Sequence, residues 1–169
     1  VLLKYHVTTV LSSYGLIALG FVLSLFYLGC HYLVVERSPV LAGDGGGSGG
    51  VSLALGDDRG VIGTRARLLA DLDTAQMIVL QLAFWTLGVG ILLGAWWADH
   101  SWGRWWAFDP KETWALITWI VYLVVIHVRI AAPRNKAFTT AWLSIVGFVV
   151  MLWTYFGVNL LLPGLHAYA

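Results

Sequence analysis

The residues most suited to chemistry form one segment, Trp102 to Thr113, which reads WGRWWAFDPKET and lies between two long apolar runs. It holds three tryptophans, Trp102, Trp105 and Trp106, and the aromatic ring of Phe108. Aromatic surface this dense marks a ligand site, a partner site or a membrane interface. An aromatic belt at the edge of a bilayer is the simplest alternative, because Trp and Tyr gather there. The segment also carries two cations, Arg104 and Lys111.

The end of this segment has the pattern of a helix start. Asp109 suits the N-cap, Pro110 the first helical position and Glu112 the third, which together make a capping box. A helix is therefore predicted from about Pro110. Its positive N-terminal end adjoins the aromatic segment and favours anionic groups there.

Composition limits the class of protein. Of 169 residues, 59% are hydrophobic and 11% are charged, which indicates a membrane protein. The net charge of +1 argues against nucleic acid as a partner. Cys30 is the only cysteine, so an internal disulfide, a CxxC redox pair and a CxxCH attachment motif are all excluded.

Four apolar runs predict an all-α polytopic membrane protein, a single domain over 1–169. Each run is long enough to cross a bilayer as a helix, and small residues, including Gly15, Gly20, Gly90 and Gly94, would let neighbouring helices approach closely. The predicted spans are 7–35, 77–97, 110–130 and 138–162.

The interval 36–76 is predicted to be a polar, Gly-rich flexible loop. Gly43 to Gly50, GDGGGSGG, has the composition of a linker. Arg65 to Leu72 is predicted to form a short amphipathic helix on the membrane surface.

The distribution of cations predicts the topology. The two loops on one side, 36–76 and the turn after span three, carry seven cations, and the opposite side carries three. The seven are Arg37, Arg59, Arg65, Arg67, Arg129, Arg134 and Lys136, against Lys4, Arg104 and Lys111. The cation-rich side is expected in the cytoplasm. The aromatic loop, 98–113, and both chain ends would then be extracytoplasmic.

The order of residues in the aromatic loop resembles a known signature. Trp102-Gly103-x-x-Trp106-x-Phe108-Asp109 is similar to the WGxxWxWD signature of haem-handling WWD membrane proteins, with Phe108 where that family usually has Trp. The DPKETW continuation, the opening His6-Val7 with Ser13-Tyr14, and the tail from Gly157 resemble the CcsA (ResC) branch, which assembles cytochrome c. The resemblance covers nearly all the chain except Glu36 to about Ala70. CcsA-like proteins normally have further helices upstream, so we expect this chain to be part of a longer protein.

The resemblance implies a haem site. It implies that haem b is held as substrate at the external side between His6 and His166, and that His127 binds haem within the membrane. The second histidine of this membrane haem site would come from a CcsB/ResB-type partner. The loop residues Trp102, Trp105, Trp106, Phe108 and Asp109 would face haem, and Arg104 and Lys111 suit its propionates.

The function implied is haem transport across the membrane and presentation of haem to apocytochrome c. The chain would be a component of a cytochrome c haem lyase in the bacterial plasma membrane, or in a thylakoid membrane. No catalytic nucleophile or acid–base pair is visible, and none is required.

Other functions remain open at this point. A b-type electron-transfer protein would pair histidines inside the bundle, for which His31 and His127 are candidates. A non-catalytic assembly subunit would use the tryptophans only to dock a partner. CcmC-like and CcmF-like haem-handling proteins also carry a WWD loop. His100 is expected to be a surface residue.

Overall fold

The computed structural model describes residues 2–36, 55–131, 135–162 and 164. All the regular elements of this part of the chain are helical. They are α1 (Leu2–Glu36), α2 (Leu55–Trp102), α3 (Pro110–Ala131), α4 (Lys136–Leu152), a π-helical turn (Trp153–Gly157) and α5 (Val158–Leu161).

Within the described residues, four helical stretches are long and apolar enough to cross a membrane, as predicted. They are Leu2–Leu33, Ala66–Trp102, Pro110–Ala131 and Lys136–Leu161. The all-α membrane fold expected from the sequence is therefore confirmed.

The predicted loop over 36–76 is wrong for its second part. Helix α2 begins at Leu55, so residues 55–76 are helical, and Arg65 to Leu72 belong to α2 instead of forming a separate surface helix. The reason is local: from Arg65 to Gln76 this stretch is rich in Arg, Ala and Leu, which are good helix formers, and it runs into the apolar span without Gly or Pro. The Gly43 to Gly50 linker lies outside the described residues.

The helices form a ring. Helix α1 packs against α2 and α4, and α3 packs against the same two helices. The core between them is apolar, with Ile17, Leu80, Leu87 and Tyr122 fully buried. Apolar side chains on all four spans also remain exposed, as expected for helices that face lipid or a partner.

Close contact between α1 and α2 depends on glycines. A Cβ atom at Gly90 would lie 2.8 Å from the Val10 side chain, and one at Gly94 would lie 2.6 Å from the His6 ring. The small-residue contact expected at these positions is thus confirmed, and so is that at Gly20, which lies against Leu80. The same expectation is wrong for Gly15, since nothing lies within 4 Å of its Cβ position.

Polar groups also cross-link the spans. Arg129 on α3 forms an ion pair with Asp73 on α2, and each side chain is 19% exposed. Gln76 on α2 donates to Ser24 on α1 at 2.5 Å. These links fix the three helices at the end of the bundle opposite the tryptophan-rich loop.

Candidate functional site

The start of α3 closes the aromatic loop as the sequence predicts. The backbone N–H of Asp109 donates to Oε2 of Glu112 at 3.3 Å, and the N–H of Lys111 donates to Oδ2 of Asp109 at 3.3 Å. This is the reciprocal arrangement of a capping box. Asp109 is 5% exposed, so its carboxylate is a buried structural group at the helix N-terminus.

The loop divides its aromatic rings into packed and exposed ones. Trp102 packs edge-to-face on Trp97, with ring centroids 4.9 Å apart. Trp106 is half-buried and lies 6.4 Å from Phe108, with the two rings nearly perpendicular. Trp105 and Phe108 are 57% and 82% exposed. The loop therefore presents aromatic surface outward as well as toward the bundle.

A cavity of about 190 Å³ lies beneath the loop, between the four spans. It brings together His6, Trp106 and Lys111 among the predicted site residues. Trp102, Trp105, Phe108 and Arg104 do not line it, and Arg104 is exposed. The remaining lining is mostly apolar, with polar groups from Tyr14, Glu112, Thr154, Tyr155 and Asn159.

His6 is held in one orientation within this cavity. Its Nδ1 lies 2.9 Å from the carbonyl oxygen of Gly90. A carbonyl oxygen only accepts, so Nδ1 carries a proton, and in the neutral imidazole Nε2 then carries the lone pair. Metal-binding histidines are commonly held in this way, with the second ring nitrogen bonded to a carbonyl. The Gly94 backbone packs closely on the same ring and limits its movement.

The π-helical turn in the fourth span supplies the opposite wall. Thr154 is buried and its hydroxyl lies 2.8 Å from that of Thr118 on α3. Tyr155 packs edge-to-face on Tyr14 with centroids 5.9 Å apart. Turns of this kind often mark functional sites. Sequence reasoning missed Tyr14, Thr154, Tyr155 and Asn159 as lining residues, although polar groups in a span usually face its protein interior.

The C-terminal segment approaches the same region. A Cβ atom at Gly164 would lie 2.6 Å from Oδ1 of Asp109, so the Gly164 backbone lies close to the Asp109 carboxylate. His166 lies outside the described residues, and its assignment as an axial ligand stays a prediction.

His31 and His127, toward the end of the bundle opposite the aromatic loop, are not brought together. His127 lies on an exposed face of α3, where Nδ1 donates to the carbonyl oxygen of Leu123 at 2.8 Å. His31 lies in an aromatic cluster with Tyr27 and Phe138. Within the described ranges, no hydrogen bond or ring contact joins His31 to His127. His100 is exposed, as expected of a surface residue.

Comparison with known proteins identifies the family. A family model described as cytochrome C assembly protein matches residues 1–166. The chain belongs to the cytochrome c assembly protein family. The resemblance to cytochrome c assembly proteins read from the aromatic loop and the tail is thereby confirmed, and the relatives below include proteins of the CcsA type.

Individual relatives agree with this membership. The cytochrome c biogenesis protein CcsA of Porphyra purpurea is 34% identical over 98% of this chain and 56% of its own length. The CcsA protein of Parasynechococcus marenigrum is 38% identical over 98% of this chain and 54% of its own length. Protein NrfI of Wolinella succinogenes is 38% identical over 88% of this chain and 16% of its own length. The chain thus spans about half the length of these CcsA relatives.

Proposed function

We propose that this chain handles haem b during cytochrome c assembly. It would hold haem as substrate at the extracytoplasmic end of the bundle and present it to apocytochrome c. The observation that carries the proposal is the cavity beneath the tryptophan-rich loop, which joins His6, Trp106 and Lys111 in a member of the cytochrome c assembly protein family.

The chemistry of the cavity suits haem. An iron porphyrin needs apolar contact for its faces, imidazole for its iron and cations for its propionates. The aromatic and aliphatic lining supplies the first, His6 the second, and Lys111 at the N-terminus of α3 the third. Ligand pockets usually measure about 300–1,000 Å³. Because this cavity is smaller, we infer that haem also extends over the exposed faces of Trp105 and Phe108, near Arg104.

We assign His6 and His166 as the two axial ligands of this haem. The orientation of His6 supports its role, since Nε2 carries the lone pair. The position of Gly164 against Asp109 supports the role of His166, because Gly164 precedes it by two residues.

The role of this protein in the reaction is to position the haem. Each cysteine thiol of an apocytochrome CxxCH motif adds across one haem vinyl group. A sulfur–carbon bond forms at one vinyl carbon and the thiol hydrogen ends on the other, so the addition needs no net oxidant. Two axial imidazoles would hold the porphyrin while its vinyl edge faces the incoming peptide.

Haem would enter from the cytoplasmic side through His127. An imidazole on an exposed face of an apolar span is unfavourable unless another group satisfies it. A CcsB/ResB-type subunit that covers this face of α3 would supply the second ligand. The proposed location is the bacterial plasma membrane, with the aromatic loop and both chain ends extracytoplasmic.

Haem binding by the loop can be tested with one matched pair of variants. The protein is co-expressed with a CcsB-type subunit, and bound haem is measured by pyridine extraction alongside maturation of a reporter apocytochrome c. Trp106→Ala should lower both the bound haem and the maturation of the reporter severalfold. Trp85→Ala is the control, because Trp85 is 69% exposed on α2 and does not line the cavity.

Two other outcomes would argue against this function. Equal haem content and equal maturation in the two variants would contradict the proposal and leave the tryptophans as an interfacial belt. If the protein binds haem tightly but neither variant changes maturation of the reporter apocytochrome, an electron-transfer protein would be favoured instead.

A further inference from the structure

Phe108 has a backbone conformation that an aromatic residue rarely adopts. Its φ is 55°, in the left-handed region. Its ring is also 82% exposed, so burial does not compensate for the backbone strain. A strained residue persists only where its surroundings hold it, and such residues cluster at functional sites.

The group that holds Phe108 is the carboxylate of Glu112. Its Oε2 accepts the backbone N–H of Ala107 at 2.9 Å and that of Asp109 at 3.3 Å. These N–H groups belong to the residues on either side of Phe108. An ordinary capping box uses only the N–H of the N-cap residue. Capping of α3 does not require the additional bond to Ala107. Together with the bond to Asp109, it holds the backbone on both sides of the strained residue Phe108.

This clamp also sets the position of the neighbouring ring. Trp106 precedes Ala107 and lines the cavity together with Glu112. Its ring stands at 85° to that of Phe108. The two bonds of Glu112 therefore fix a pair of perpendicular rings, one at the cavity and one exposed.

We infer that Glu112 is a positioning residue of the haem site. It acts by holding Ala107, Phe108 and Asp109, and through them the Trp106–Phe108 pair, in the geometry that receives the porphyrin. The inference rests on the proposed function and adds a residue to it. What matters is the pair of accepted hydrogen bonds, and the negative charge of the carboxylate is dispensable.

Two substitutions separate hydrogen bonding from charge. Glu112→Gln removes the charge, and its amide oxygen can still accept both N–H groups. Glu112→Asp keeps the charge, and its shorter side chain cannot span both. We expect the Gln variant to behave like the wild-type protein and the Asp variant to be impaired.

Loop geometry is measured first, without haem. In detergent-solubilised protein free of haem, an arginine-specific protease is used to cleave the exposed Arg104–Trp105 bond, and the product is identified by mass spectrometry. Losing the paired hydrogen bonds to Ala107 and Asp109 should make cleavage of Glu112→Asp faster by about tenfold or more. Cleavage of Glu112→Gln should stay within about twofold of the wild-type rate.

Haem per protein is then measured in the same variants co-expressed with a CcsB-type subunit. It should fall in Glu112→Asp and stay normal in Glu112→Gln. Provided that the wild-type protein holds haem, the inference is overturned if the Gln variant is impaired in either measurement, or if the Asp variant matches the wild-type protein in either one. Failure of the proposed function looks different: no variant, including the wild type, would hold haem, while the order of cleavage rates would persist.

Discussion

The His6 imidazole on α1 donates a hydrogen bond to the carbonyl oxygen of Gly90 on α2, 84 positions away in the sequence, at 2.9 Å. This bond joins two spans at the cavity and fixes which ring nitrogen carries the lone pair. If His6 binds haem as proposed, the packing of α1 on α2 would determine where the iron lies.

Gly94 should be as important to His6 as the hydrogen bond itself. A Cβ atom there would lie 2.6 Å from Cε1 of His6, so Gly94→Ala must displace the ring. Overpacking of this kind costs about 1–3 kcal/mol, which corresponds to roughly a tenfold loss of affinity or more. Haem content, measured by pyridine extraction, should fall accordingly, with part of the remaining haem high-spin.

Gly15→Ala is the matched control for that substitution. Gly15 is also helical, and nothing lies within 4 Å of its Cβ position. Haem content should be unchanged there. Equal effects of the two substitutions would show that helix propensity, and not contact with His6, is responsible.

The Asp73–Arg129 ion pair should stabilise the end of the bundle opposite the loop. Removing one partner of a largely buried pair typically costs about 3–5 kcal/mol, because the other charge is left unpaired. Asp73→Ala and Arg129→Ala should each lower the thermal unfolding midpoint in detergent. The exchange Asp73→Arg with Arg129→Asp should recover most of the loss. An exchange no more stable than the single variants would show that the pair contributes little as a pair.

His127 should control how much haem reaches the outer site. His127→Ala removes an exposed imidazole whose Nδ1 bonds only within its own helix among the described residues, so the fold should be little affected. Haem at the outer site should decrease, as measured by absorption of the reduced protein. His31→Ala is the control, since His31 lies in a separate aromatic cluster. Loss of haem in His31→Ala with normal loading in His127→Ala would reverse the assignment.

Local patterns predicted the local structure well. The DPKE sequence is enough to place the start of α3, because a capping box depends on residues within four positions of one another. The glycines of α2 likewise predicted a close helix contact. Neither pattern specifies its partner, so the placement of His6 on Gly94 required the structure.

The features that the sequence did not predict are the π-helical turn, the ion pair and the start of α2. The π-helical turn that places Tyr155 at the cavity has no signature in Trp153 to Gly157. The ion pair joins residues 56 positions apart. The extension of α2 back to Leu55 was not predicted, because the polar, Gly-rich composition of 36–76 favours a loop, whereas the Arg, Ala and Leu residues from Arg65 onward suit a helix.

Axial ligation by His6 and His166 is the central claim, and cavity rescue tests it most directly. His6→Gly and His166→Gly are purified with a CcsB-type subunit, and the absorption spectrum is recorded before and after addition of imidazole. A neutral imidazole at each axial position gives low-spin iron. Each variant should therefore contain high-spin or readily oxidised haem, and added imidazole should restore the low-spin spectrum along with maturation of the reporter apocytochrome. A normal low-spin spectrum in both variants, with no response to imidazole, would contradict the assignment.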